Sequence, residues 1–310
     1  MHTPATANPV KTDVLQSDHH SDFYKEEIAT SVAIRHVAVA TDLAASSEHA
    51  VQHALAVARH FGATVCFLHL VRPSEFVYAP EMIPAMENAA VRDCDGLIRR
   101  LRQHHQLDGI DFRCSIQDGE VEEVLPAFVA AEHIDLLLVG THGRGGLPRL
   151  VQGSVAQKIF HAVRCPVAVV GPHAPGAGQH LQLKNVLFAT DLSTESLAAL
   201  PWVLTVQREW HTNVDIVHVC SHPEGPHASR LEELRKNLEA LAASDEHGLL
   251  RSERLTGKPA DAVLSFAQKN HSDLIILGLK PQRALYAGPV WCHAYEIVRH
   301  APCPVLSVRS

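Results

Sequence analysis

Ile134-Asp135-Leu136-Leu137-Leu138-Val139 runs directly into Gly140-Thr141-His142-Gly143, and after nine further residues Gly153-Ser154 opens a stretch, Val155 to Val163, with apolar positions at helical spacing. The order is an apolar strand, a glycine-punctuated loop, then a helix. Such a loop presents unpaired backbone N–H groups and a serine hydroxyl at a helix N-terminus, where an anion is favoured. Glycine allows positive φ and lets backbone approach a ligand with no Cβ in the way. The pattern therefore predicts a phosphate-binding loop. It is not a Walker A loop, because no Gly-Lys-Ser/Thr follows the glycines. Nor is it the dinucleotide fingerprint: the first strand runs instead into Ala40-Thr41-Asp42-Leu43.

The strand that feeds this loop occurs twice. Asp135-Leu-Leu-Leu-Val-Gly140 returns as Asp273-Leu-Ile-Ile-Leu-Gly278, and Arg164-Cys-Pro-Val-Ala-Val-Val170 as Pro302-Cys-Pro-Val-Leu-Ser-Val308. Upstream, Val37-Ala-Val-Ala-Thr-Asp-Leu43 returns as Val186-Leu-Phe-Ala-Thr-Asp-Leu192, and Leu68-His-Leu-Val71 as Val217-His-Val-Cys220. Four blocks in one order, at domain-sized spacing, mark a duplicated domain rather than a short solenoid unit. In the first copy apolar runs near 35–41, 64–70, 111–116, 135–139 and 166–170 alternate with helical patterns near 46–61, 82–106, 120–131 and 154–162. Alternation of this kind predicts an α/β fold with a parallel sheet covered on both faces. Ligands of such sheets sit beyond the carboxyl ends of the strands, so Asp42, Leu70 and Gly140 are expected to converge on one crevice.

These residues resemble those of a tandem universal stress protein. Gly140, Gly143, Gly153 and Ser154 match the family's nucleotide pattern, Gly-x2-Gly-x9-Gly-(Ser/Thr), without deviation; Asp42 and His69-Leu70 match its first and second strand ends. The resemblance covers roughly 34–172 and 183–309. It implies two Rossmann-like domains of the adenine nucleotide alpha hydrolase type, each a five-stranded parallel sheet of order 3-2-1-4-5 flanked by helices. The expected division is an N-terminal arm (1–33), a first domain (34–172), a linker (173–182) and a second domain (183–310).

The resemblance also implies ATP, accompanied by Mg2+, in the first domain. Gly140 would end the strand and open the crevice, with Thr141 and His142 following in the loop. Gly143, Gly153 and Ser154 would give backbone donors and one hydroxyl to the phosphates, and Val155 a further N–H. Asp42 would accept hydrogen bonds from adenosine and Leu70 would offer apolar surface to adenine. Arg144 could neutralise phosphate charge, with a solvated loop arginine as the alternative. His142 could face phosphate or solvent. The second copy breaks the pattern: Pro281 replaces the second glycine and Trp291-Cys292 replaces Gly-Ser. Proline fixes φ and removes a donor, so this half is expected to be structural or partner-binding; Lys280 and Arg283 could still attract an anion, with a solvated edge as the simpler reading.

The expected function is an ATP-binding regulatory stress protein. The alternatives are a slow ATP hydrolase and a nucleotide-independent scaffold; no loop residue beyond His142 suggests a positioned base. A net charge of −7 with scattered basic residues argues against a nucleic-acid footprint. No apolar stretch is long enough to span a bilayer, and the N-terminal residues hold no secretory h-region, which predicts a cytoplasmic protein. The seven cysteines include no Cys-x-x-Cys, which fits a reducing compartment; Cys165 and Cys303 read as small buried hydrophobes. Among 23 histidines, His49 and His53 stand one helical turn apart, a spacing that can hold zinc, but with no third ligand a wet helix face is the simpler reading. His19-His20 and His104-His105 read the same way.

Protein partners are not specified by the sequence. The last strands, Pro166–Val170 and Pro304–Val308, are short, apolar and at sheet edges. Pairing them antiparallel would remove both edges and give an intrachain pseudo-dimer, with further homodimerisation optional. The connector Gly171–Gln182, holding Pro172, Pro175, Gly176 and Gly178, reads as a flexible span that reaches about 30–40 Å.

Overall fold

The computed structural model describes residues 31–43, 47–71, 83–140, 158–159, 162–220, 227–242, 248–279 and 290–309. Among the described residues ten strands form one sheet, in the order β3-β2-β1-β4-β5-β10-β9-β6-β7-β8. In the first half these are β1 (His36–Ala40), β2 (Thr64–Leu70), β3 (Phe112–Gln117), β4 (Leu136–Gly140) and β5 (Val167–Val170). The second half supplies β6 (Asn185–Ala189), β7 (Asn213–Cys220), β8 (Leu250–Thr256), β9 (Leu274–Leu279) and β10 (Val305–Arg309). Each half therefore has the expected order 3-2-1-4-5, with parallel pairing throughout. The described helices are α1 (Glu48–Phe61), α2 (Ile83–Gln103), α3 (Val121–Ala131), α4 (Thr194–Leu197), α5 (Leu200–Trp210), α6 (His227–Ala242), α7 (Pro259–Lys269) and α8 (Val290–His300). Among the described residues no helix is long and apolar enough to cross a membrane.

The halves join as the edge-strand argument expects. β5 and β10 pair antiparallel, with Val169 opposite Val305, Ala168 opposite Leu306 and Val167 opposite Ser307. Ala168 and Leu306 are counterparts in the repeat, so a pseudo-two-fold axis passes between them. Joining the edges satisfies N–H and C=O groups that two separate sheets would leave bare. Both hydrophobic layers continue across this seam. One face packs Val37 and Leu55 through Ala168 and Leu306 to Val214 and Leu238. The opposite face packs Leu68 and Leu125 through Val167 and Val305 to Phe266 and Ile297. The halves thus share two core layers instead of each closing its own.

The connector departs from the flexible span expected. Ala174 is buried, the Arg59 guanidinium donates to the Gln179 carbonyl at 2.7 Å, and the Trp210 indole donates to the Leu181 carbonyl at 2.9 Å. Its prolines and glycines shape a path over α1 and α5 that side chains from both halves hold down. The described end of the arm is also attached: the Val32 N–H donates to Thr205 Oγ1 at 2.8 Å, which docks it on the second half. Residues 1–30, with His19 and His20, lie outside the described residues.

Several histidines have a backbone role. His105, His133, His211 and His271 all take positive φ, between 49° and 55°, next to the ends of α2, α3, α5 and α7. Histidine is among the few non-glycine types enriched in that region. His105 also bonds Asp108 at 3.0 Å. His53 corrects the wet-face reading. It is 6% exposed, packed in the core, and its Nδ1 donates to the His49 carbonyl at 2.8 Å, while His49 is exposed. Among the described residues no group of three metal-ligating side chains exists.

Cys94 in α2 and Cys114 in β3 form a disulfide across a sequence separation of 20. Their spacing carried no sign of it, because the pairing follows from where α2 lies against the edge strand. Cys303 is buried as expected, and burial pushes its thiol up to about 12; Cys165 is half-buried, with burial pushing its thiol to about 12 as well.

Candidate functional site

The crevice of the first half is built on Thr41, a residue the repeat displays but the motif reading passed over. Its N–H donates to the Leu68 carbonyl at 2.9 Å, which continues the β1–β2 ladder one residue beyond the strand. Its hydroxyl accepts the Leu43 N–H at 2.9 Å and shares a 2.6 Å hydrogen bond with the Ser47 hydroxyl. Leu43 takes a positive φ of 62°, so the chain turns sharply after Asp42. His69 closes the other side, its Nδ1 donating to the Thr41 carbonyl at 2.9 Å. A carbonyl can only accept, so the ring is fixed with its proton on Nδ1 and Nε2 turned elsewhere. This framework holds the turn rigid and leaves Asp42 half-buried at the rim and Leu70 half-buried beside it.

Gly140 ends β4 in the same place, buried against α1. A Cβ there would sit 3.4 Å from the Ala50 Cβ and 3.7 Å from the Ser47 Cα, ordinary contact distances. Its φ is not in the left-handed region. The idea that positive φ requires glycine therefore fails at Gly140, whose role is to end the strand. Asp42, Leu70 and Gly140 do converge at the carboxyl ends of β1, β2 and β4. Thr141, His142, Gly143, Arg144, Gly153, Ser154 and Val155 lie outside the described residues.

The second half repeats the framework closely. The Thr190 N–H donates to the Val217 carbonyl at 3.0 Å, the Thr190 hydroxyl bonds the Ser196 hydroxyl at 2.7 Å and accepts the Leu192 N–H at 2.9 Å, and His218 Nδ1 donates to the Thr190 carbonyl at 2.9 Å. Leu192 has a φ of 61°. Two identical arrangements from two divergent segments identify Thr, Ser and His as the parts that make the turn, and Asp as the residue it presents. Here Asp191 accepts from the Ser193 N–H at 2.9 Å and from its hydroxyl, and Ser193 in turn caps α4 by accepting the Ser196 N–H. Its carboxylate is thus drawn into starting a helix. A cleft of about 200 Å³ lies beside it, bordered by Thr190, Val219, Gly278 and His293 and mostly apolar in lining. Pro281, Lys280 and Arg283, and the side chains of Trp291 and Cys292, lie outside the described residues.

Gly278 has a different reason to be glycine. A Cβ at that position would run into the Ser196 backbone, within 2.5 Å of its carbonyl carbon. Helix α4 presses on β9 more closely than α1 presses on β4. The survival of this glycine in the second copy is explained by packing alone. The aspartates that open the repeated strands are also structural. Asp135 Oδ2 accepts the N–H groups of Arg35 and His36 at 2.7 and 2.9 Å, and Asp273 Oδ2 those of Lys184 and Asn185 at 2.8 and 2.9 Å. Each fixes the start of the neighbouring central strand.

A sequence model described as the universal stress protein family matches residues 33–171 and 182–309. Universal stress protein MJ0531 of Methanocaldococcus jannaschii is 27% identical over 139 residues, covering 43% of this chain and 80% of that protein. Universal stress protein A homolog 1 of Coxiella burnetii is 28% identical over 138 residues, covering 44% and 95%. Among solved structures, a universal stress protein from Archaeoglobus fulgidus superposes with a TM-score of 0.66 at 17% identity, covering 88% of this chain and 96% of that one. A functionally unknown protein, PA1789, from Pseudomonas aeruginosa gives 0.60 at 16% identity, covering 89% and 92%.

Proposed function

This chain belongs to the universal stress protein family, and from that premise we propose that it is an ATP-binding regulatory protein that holds one nucleotide, in its first half only. The observation that carries the reading is the contrast between two equivalent loops. Gly143, Gly153 and Ser154 are intact in one, while Pro281, Trp291 and Cys292 occupy the same places in the other. The described part of the first crevice suits an adenosine. Asp42 stands half-buried at the rim as an acceptor, Leu70 offers apolar surface, and the Thr41–Ser47–His69 framework keeps both in place without reorganisation on binding. The loop from Thr141 to Val155 would take the phosphates through its N–H groups and the Ser154 hydroxyl, with Mg2+ bound through the phosphates. Arg144 and His142 are the side chains placed to meet their charge.

In this reading the arm (1–33), linker (173–182) and second domain (183–310) form the structural and partner-facing part of the protein, and nucleotide occupancy of the first domain (34–172) is what a partner senses. Calorimetric titration with MgATP tests it. A stoichiometry near one is expected, and Gly153→Trp, which imitates the second half, should abolish the heat. Two sites, or none with folded protein, would refute the assignment. Phosphate release during the same titration would favour the slow hydrolase instead.

A further inference from the structure

The junction between the outermost strand and the helix beside it is closed differently in the two halves. Among the described residues β3 and β8 stand at the two ends of the sheet. Cys114 of β3 pairs in register with Phe67 of β2, and Ser252 of β8 with Ile216 of β7. Phe67 and Ile216 each stand one residue before the repeated block that begins at Leu68 or Val217, so Cys114 and Ser252 are counterparts. In the second half the Ser252 hydroxyl donates to Glu232 Oε2 of α6 at 3.1 Å, and Arg235 Nε donates to the same oxygen at 2.9 Å. In the first half Cys114 is bonded to Cys94 of α2. One junction is a hydrogen-bonded, ionic clasp and the other is covalent. The fold closes this place once without a covalent bond, so it does not require one.

The two cysteines differ in what can reach them. Cys94 is 5% exposed and packs with Leu97 and Leu101 in the core. Cys114 is exposed, and no other described cysteine is. Burial pushes the thiols of Cys165 and Cys303 up to about 12 and raises that of Cys66, which leaves those three with little reactive thiolate. Around Cys114 the charge is positive. Phe112, Cys114 and Ile116 alternate along β3 and share the face toward α2, and the Arg102 guanidinium lies over the Phe112 ring at 5.6 Å. Arg99, Arg100 and Arg102 are all exposed, and no carboxylate follows Asp95 before α2 ends. Nearby cations favour thiolate over thiol and draw an anionic reagent. The ionic clasp, by contrast, is incomplete here. Cys94, Leu97 and Leu101 have the spacing of the buried Leu231, Leu234 and Leu238, which puts Ile98 where Arg235 stands.

We propose that Cys114 is a thiol–disulfide exchange site for anionic peptide thiols of the glutathione class, with Cys94 as its buried resolving partner, so that the α2–β3 clasp of the first half opens and closes with the surrounding thiol balance. In closing, the Cys114 thiolate attacks one sulfur of glutathione disulfide. The reagent's S–S bond breaks, a mixed disulfide forms on Cys114, and one glutathione leaves as thiolate and takes a proton. Cys94 then gives its proton to water, and its sulfur attacks Cys114 Sγ and expels the second glutathione. Two protein thiols are oxidised and one glutathione disulfide is reduced to two thiols. Opening runs in reverse: a glutathione thiolate attacks Cys114 Sγ, and Cys94 leaves and takes up a proton. Arg102 offers its guanidinium to the carboxylates of the tripeptide. With the bond open, α2 keeps its apolar contacts through Leu97 and Leu101 but lacks the arginine that completes the clasp of the other half. The proposal does not rest on nucleotide binding in the first half.

To test it, the full chain is equilibrated in mixtures of reduced and oxidised glutathione, quenched with an alkylating agent and mapped by peptide mass. Cys94 and Cys114 are expected to pass together from alkylated to disulfide-linked as the oxidised form grows, and to return when the ratio is reversed. Cys94→Ala should hold one glutathionyl group on Cys114, whereas Cys114→Ser should take at least about tenfold less on Cys94. Amide exchange of α2 and β3 should be at least about tenfold slower in the oxidised parent than in the reduced one, with α6 and β8 unchanged. The ratio titration and the exchange readout use the parent alone, so a folding failure in either variant leaves them to decide. A pair that stays oxidised in excess reduced glutathione, or stays reduced in excess glutathione disulfide, would overturn the proposal. Equal modification of Cys94 in folded Cys114→Ser, or amide exchange that ignores the redox state, would do the same.

Discussion

Replacing Gly278 and Gly140 by alanine separates two reasons for one repeated residue. Gly140 is the last residue of β4 and Gly278 the last but one of β9, and both stand first in the loop pattern or its degenerate copy. At Gly278 the added methyl would meet the Ser196 backbone from α4, within 2.5 Å of its carbonyl carbon. Backbone cannot swing aside as a flexible side chain can. Moving Ser196 would also disturb its 2.7 Å bond to Thr190 and the turn that presents Asp191. Overpacking of this kind costs about 1–3 kcal/mol, and the rigidity of the neighbour puts the expected loss near the top, about 3 kcal/mol. With about 2 °C per kcal/mol for a chain of this size, Gly278→Ala should melt roughly 6 °C below the parent. At Gly140 the methyl would find the Ala50 Cβ at 3.4 Å, an ordinary contact. Alanine also reduces the freedom of the unfolded chain, a gain of about 0.4–1 kcal/mol. Gly140→Ala should therefore melt within about 2 °C of the parent. Circular dichroism melts and urea titrations of both variants measure the difference. Equal melting points, or a larger loss at Gly140, would refute the packing argument and return Gly278 to the status of a remnant binding loop.

Two further outcomes follow from buried groups. Burial depresses the pKa of His53, an effect opposed in part by its bond to the His49 carbonyl. As pH falls through the ordinary histidine value of 6.5, the unfolded chain takes up this proton before the folded one does, so stability drops from there downward and is unaffected above. His53→Leu should flatten the slope of melting temperature between about pH 7 and pH 5, and an unchanged slope would remove His53 as its source. The Cys94–Cys114 bond closes a loop across a separation of 20 residues, and loop closure of that length is worth about 3 kcal/mol. A reductant should lower the melting temperature of the parent but not that of Cys94→Ser; equal sensitivity of both would show that this pair is not the source.

The sequence by itself determined the duplication, the alternation of strand and helix, and the edge strands that must find each other. These features are local: a period of apolar residues, a proline-led short strand, a recurrent Thr-Asp-Leu turn. The seam at Ala168 and Leu306 was legible because two bare apolar edges on one chain have an obvious way to satisfy their backbone groups. The convergence of Asp42, Leu70 and Gly140 was legible because parallel sheets place their carboxyl ends together. Thr41 and His69 were visible in the repeated blocks and Ser47 lay outside them; the role of all three waited on the hydrogen bonds that join β1, β2 and the start of α1. Only the tertiary structure decided that Gly278 is kept by the pressure of α4, that His53 is core while His49 is wet, that Cys94 finds Cys114, and that the connector is pinned by Arg59 and Trp210. Each depends on which atoms meet across long stretches of chain, and periodicity carries no information about that.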